Sequence, residues 1–127
     1  MRSDPRLGGY GSAMRTPREV LEDHLRRAKE GDIAGDVGAN YAEEVILIDR
    51  EKVRRGHDGV HDAARQLADE LPDALYEYVM TAVEGELAYL QWKATARGAR
   101  VEHGTDTFVI RDGLIRAQTW YYRVERT

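Results

Sequence analysis

Leu75–Glu125, LYEYVMTAVEGELAYLQWKATARGARVEHGTDTFVIRDGLIRAQTWYYRVE, reads as strand almost from end to end. Leu75–Glu84 and Glu86–Arg97 are long β-type runs that meet at Gly85. Arg97-Gly98-Ala99 makes a second turn, Val101–Arg111 a third strand, and Asp112-Gly113 a strong hairpin signal before Leu114–Glu125. The stretch is therefore a four-strand meander. Its strands exceed the usual five or six residues or so, and strands that long have to bend.

Upstream of the meander the apolar period changes from two to 3.6. Thr16-Pro17-Arg18-Glu19 combines an N-cap, a proline suited to the first helical position and a capping-box glutamate. The helix it starts carries Val20, Leu21, Leu25 and Ala28 in one stripe and stops at Gly31. Asp32 caps a short second helix with Ile33, Val37 and Tyr41 on one side, weakened by Gly35 and Gly38. Val45–Asp49 is a short β-branched strand, followed by a turn at Asp49–Lys52. A third helix, Asp58–Leu71, aligns Val60, Ala64, Leu67 and Leu71 until Pro72 ends it. Helices at one end and hairpins at the other define an α+β domain over 16–127. About three helices are expected to pack on the concave face of a curved antiparallel sheet, giving a cone. Residues 1–15, glycine-rich and poor in packing side chains, read as a flexible N-terminal arm.

Composition narrows the function classes. The 127 residues carry a formal net charge of -4, and the 16 Arg are scattered, so a nucleic-acid footprint is not expected. The bias of 16 Arg to 3 Lys suggests a GC-rich bacterial source. There is no cysteine, which excludes disulfides, thiol catalysis and Cys-type zinc sites. No apolar run approaches the roughly 20 residues of a membrane span. The first residues lack the apolar segment of a secretory signal, and a cytoplasmic location is the expectation.

Strand parity then sorts the meander's side chains. Ala88, Leu90, Trp92, Ala94 and Ala96 share one face; Glu102, Gly104, Asp106, Phe108 and Ile110 share another; Gln118, Trp120 and Tyr122 share a third. Asp106 is the odd member, a carboxylate in mid-strand beside Phe108 and Ile110. Either that end of the face is solvated, with Glu102 as companion, or Asp106 looks into a pocket. Asp49 ends an apolar strand and is equally suited to a pocket role and to starting a turn, paired with Arg50 or Lys52. His24 sits within the stripe of the first helix, where a histidine satisfied by a backbone carbonyl is the commoner outcome. His57 and His61 have metal-type spacing beside Asp58 and Asp62, but no remote ligand completes a site, so a charged helix start is favoured and no metal is expected. Tyr41, Trp92, Phe108, Gln118, Trp120 and Tyr122 serve as core, pocket wall, or both.

Several motifs resemble NTF2-like proteins of the SnoaL-like and ketosteroid-isomerase type. Gly31-Asp32-Ile33 followed by Asn40-Tyr41-Ala42-Glu43-Glu44-Val45 is similar to that family's helix–turn–helix–strand opening. Gly56-His57-Asp58-Gly59-Val60 is similar to its glycine-started third helix, and Gly104–Ile115 to its penultimate hairpin. The resemblance extends over about residues 16 to 125. It implies a pocket for a small, apolar, carbonyl-containing molecule and cofactor-free isomerase or polyketide-cyclase chemistry. On the matching positions, Asp49 would be the proton-shuttling base, with His24 and Asp106 polarising the carbonyl; alternatively Asp106 would be the base of an aldol-type cyclisation. His24 stands where the isomerases carry a tyrosine, and Arg50 where a proline is usual. Gly104 replaces the arginine that the superfamily's epoxide hydrolases need, and the paired pocket histidines of its dehydratases are not matched. The resemblance also implies a homodimer through the exposed sheet face bearing Ala117, Thr119 and Tyr121. It leaves open a non-catalytic ligand-binding or dimerisation module.

Overall fold

A computed structural model describes residues 14–50 and 52–127. Thr16 accepts a hydrogen bond from the backbone of Glu19 and Glu19 returns one, so the capping box starts α1 (Pro17–Glu30) as the sequence indicates. Gly31 closes it in the left-handed region at φ 79°. Asp32 caps α2 (Ile33–Asn40) through the backbone of Gly35. The chain runs directly into β1 (Tyr41–Asp49), reverses into β2 (Lys52–Arg55), and enters α3 (Gly56–Glu70). The meander follows as β3 (Leu75–Glu84), β4 (Leu87–Ala96), β5 (Ala99–Arg111) and β6 (Leu114–Tyr121), with the short β7 (Glu125–Arg126) beside β5.

Six strands follow the order β2-β1-β6-β5-β4-β3 in one curved, unclosed sheet, which β7 joins beside β5, with the three helices against it. Neighbours in the meander are antiparallel, but β1 and β6 run parallel, so the sheet is mixed where an antiparallel one was expected. That pairing joins two segments about seventy residues apart, with α3 and the meander between them, the kind of crossover that parallel strands require. Tyr41, expected on the second helix, begins β1 instead.

Bulges bend the long strands. One falls at Val79, between Tyr78 and Met80. Another falls between Val101 and Gly104 and has a direct consequence: Val101 turns inward and is buried, whereas Glu102 is exposed. Glu102 therefore does not share Asp106's face, and Asp106 stays buried without it. The core joins Val20, Leu21 and Leu25 of α1 to Leu90, Trp92, Val101, Phe108, Ile110 and Ile115 of the sheet. Residues 1–13 of the expected arm lie outside the described residues. Arg15, its last member, hydrogen-bonds Asn40 Oδ1 and the carbonyls of Ala39 and Gly113. No helix among the described residues is long and apolar enough to cross a membrane.

Candidate functional site

A cavity of about 420 Å³ lies between the C-terminal halves of α1 and α3 and the concave face of the sheet. Leu25, Ala28, Leu67 and Leu71 line it from the helices, and Tyr76, Tyr78, Leu90, Trp92, Asp106 and Trp120 from the strands. Its size and largely apolar wall suit a small-molecule site.

Asp106 is the cavity's interior carboxylate, only 5% exposed. Oδ1 accepts from Trp92 Nε1 at 2.8 Å, and Oδ2 accepts from Gln118 Nε2 at 2.9 Å. Gln118 is itself oriented, because Tyr41 donates its hydroxyl to Gln118 Oε1 at 2.6 Å. Burial holds the Tyr41 phenol well above its usual range, so it remains a donor. The chain Tyr41 to Gln118 to Asp106 therefore runs in one sense, with every proton pointing toward the carboxylate. Gly104 is what allows the Trp92 donor: a Cβ there would collide with the indole, which lies across bare backbone.

Burial pushes the Asp106 carboxyl up to about 6, against the opposing pull of the Trp92 bond, the charge of nearby His24 and the Gln118 bond. No cation among the described residues touches it. Desolvation thus outweighs three favourable interactions, and the proton leaves near neutrality.

His24 is buried but is not among the residues lining the cavity. Its ring packs edge-on against Tyr41 and Phe108, at 5.7 and 5.4 Å between centroids. Nδ1 lies 2.7 Å from Asp36 Oδ2, so a carboxylate satisfies it in place of a backbone carbonyl. Asn40 Nδ2 donates to the other oxygen of Asp36 at 2.8 Å. Asp36 thereby fixes the orientation of the His24 ring.

Asp49 is also buried, but in a different setting. Its Oδ2 accepts from Arg54 Nη1 at 2.9 Å and from Trp120 Nε1 at 2.7 Å. It adjoins a separate hollow with Arg50, Lys52 and Gln66. Arg54, neither of the cations considered from sequence, also binds Asp62 at 2.9 Å and Gln66.

Of the six wall candidates, Trp92 and Trp120 line the cavity. Tyr41 and Gln118 stand behind Asp106, Phe108 packs on His24, and Tyr122 lies between Trp92 and Trp120 with its hydroxyl on Glu70. His57 Nε2 donates to the Tyr41 carbonyl at 2.8 Å. No cluster of three or more metal-ligating side chains occurs among the described residues. Sequence reasoning missed Asp36, Tyr76 and Tyr78. Parity could have placed Tyr76 and Tyr78 beside Trp92, since the three alternate on paired strands.

A cone of three helices on a curved sheet, with an apolar cavity and one poised carboxyl, is a small-molecule-binding architecture. The chain belongs to the SnoaL-like domain family, whose pattern it matches over residues 21–118. Solved structures agree on the fold. A proposed polyketide cyclase from Sinorhizobium meliloti is 17% identical, with a TM-score of 0.70 over 80% of this chain and 93% of that one. A proposed ketosteroid isomerase from Kribbella flavida is 16% identical, with a TM-score of 0.70 over 87% and 80%. An NTF2-like protein from Burkholderia xenovorans is 16% identical, with a TM-score of 0.69 over 84% and 81%. No curated protein matches the chain in sequence.

Proposed function

We propose that the protein is a cofactor-free isomerase or cyclase that moves a proton next to a carbonyl of an apolar, polyketide- or steroid-like ring, with Asp106 as the base. The observation that carries this reading is a cavity-facing carboxyl raised to about 6 and held by two neutral donors, Trp92 and Gln118. Ionised Asp106 takes a proton from the carbon beside the carbonyl, leaving an enolate and a neutral Asp106. Returning that proton to a different carbon completes an isomerisation. In a cyclisation, the enolate carbon instead bonds to a second carbonyl carbon and Asp106 protonates the resulting alkoxide. His24, fixed by Asp36, supports the ionised state of Asp106. Asp49 suits the base role less well, because Arg54 and Trp120 both occupy Oδ2.

The test is hydrogen–deuterium exchange beside the carbonyl in a panel of bicyclic ketones, followed by NMR. The wild-type rate should rise with pH around a midpoint of about 6. Asp106→Asn should slow exchange at least about 100-fold, the scale of general-base catalysis. Unchanged exchange in that variant would sink the mechanism and leave a non-catalytic binding module.

We also propose a homodimer through the outer face of the sheet. Across β1, β6, β5 and β4 the register rows Ile48–Thr119–Thr107–Tyr89 and Ile46–Ala117–Val109–Leu87 are uncharged, with Arg55 and Glu84 only at the outer ends of the second. Leu87 and Tyr121 on that face are 52% and 56% exposed, which favours a covered surface. Sedimentation should give twice the chain mass, and Thr119→Arg should return it to the monomer. A monomeric wild type contradicts the proposal.

A further inference from the structure

The cavity wall includes a cation, Lys29, and a phenol, Tyr76, that the proposed proton transfer does not use. Lys29, in the last turn of α1, lies on the cavity wall with Nζ 5.2 Å from the centre of the Tyr78 ring. Two carboxylates that also line the cavity are taken: Glu30 pairs with Arg26 at 3.3 Å and Asp73 with Arg97 at 3.1 Å. Arg27, on the same last turn, is held by Asp23 and Asp32. Lys29 has no carboxylate partner among the described residues. Complementing the helix dipole would be reason enough for a cation here, but would not explain its seat on the cavity wall.

Tyr76 lines the same cavity, its ring 5.7 Å from that of Trp92. Tyr78 spends its hydroxyl on the Leu25 carbonyl at 3.0 Å, whereas the Tyr76 hydroxyl has no partner among the described residues. Burial pushes the Tyr76 phenol up to about 12, so it is a donor at every physiological pH.

We infer that the ligand is a ring compound ending in a carboxylate, which seats on Lys29 and Tyr76 while its apolar body lies against Leu67, Leu71 and Trp120. Asp106 fixes the orientation, since an ionised carboxyl at the inner end repels the ligand's own charge. This inference rests on the cavity being a ligand pocket, as proposed above, and adds the class of ligand.

Two matched probes separate the claims: 1-naphthaleneacetic acid and its neutral amide, titrated calorimetrically into the whole protein at about pH 8, where Asp106 is ionised. The acid should bind about tenfold more tightly than the amide, the scale of one charge-assisted hydrogen bond. Lys29→Met should bring the two affinities within about twofold by weakening only the acid, and Tyr76→Phe should weaken the acid in the same direction. Equal affinities in the wild type, or a preference that survives Lys29→Met, would overturn the anionic end while leaving the pocket standing. Binding of neither probe would overturn both.

Discussion

Asp106 and Asp49 form a natural pair for comparison, because both are register partners of Trp120 across three adjacent strands. They are 5% and 4% exposed, and each accepts an indole N–H, from Trp92 at 2.8 Å and from Trp120 at 2.7 Å. What differs is the remaining partner. Asp49 has the buried guanidinium of Arg54; Asp106 has the amide of Gln118. An ion pair balances the first charge in place, whereas neutral donors leave the second to bear its desolvation. Burial alone therefore does not decide how a carboxylate is held. Among the described residues Asp49 has a counter-charge in contact and Asp106 has none, and three adjacent strands hold both arrangements.

The largest test removes the counter-charge from the balanced side. Arg54→Met leaves Asp49 buried and unpaired, which should cost about 3–5 kcal/mol in urea unfolding. The fold is built around this arginine: Gly59 of α3 lies so close that a Cβ there would come 2.9 Å from Arg54 Cβ. Adding Asp49→Asn to that variant should recover part of the loss, because the orphaned charge is gone. A loss below about 1 kcal/mol, the scale of an exposed pair, would mean that the two carboxylates are not set apart by Arg54.

The sequence makes one half of this comparison far more visible than the other. Asp106 stands out because period-two alternation and the glycine turns fix its strand, and a carboxylate between Gly104 and Phe108 breaks the pattern. Its partners are not visible in the same way. Gln118 and Tyr41 meet through the parallel pairing of β1 with β6, a contact between remote segments that no local pattern encodes. The bulge before Gly104 shifts parity by one, which is why Glu102 looks like a companion of Asp106 in the sequence and is not one in the fold. Arg54 is hidden for a related reason. The Asp49–Lys52 turn suggests adjacent cations, but it opens the β1–β2 hairpin, which carries Arg54 back to Asp49. Tyr76 reads as one more strand aromatic until the fold places it on the cavity wall, its hydroxyl without a partner among the described residues.

The smaller test concerns the unbalanced side and follows from protons rather than contacts. Below about pH 4, Asp106 carries its proton in both the folded and the unfolded chain, so its full contribution to stability is present. As pH rises past 3.8 the unfolded chain releases that proton, while the folded chain keeps it until about 6. Stability attributable to Asp106 therefore falls across this window, by about 3 kcal/mol in all at roughly 1.4 kcal/mol per unit, and stays level at higher pH. Other carboxylates titrate in the same range, so the quantity to follow is the difference in unfolding free energy between wild type and Asp106→Asn. Asparagine must place an amide against one of the two donors, which adds an offset that does not vary with pH. The difference should slope downward from about pH 4 to about pH 6.5 and then flatten. A flat difference throughout would show Asp106 titrating as it does in water, and the contrast with Asp49 would lose its physical basis.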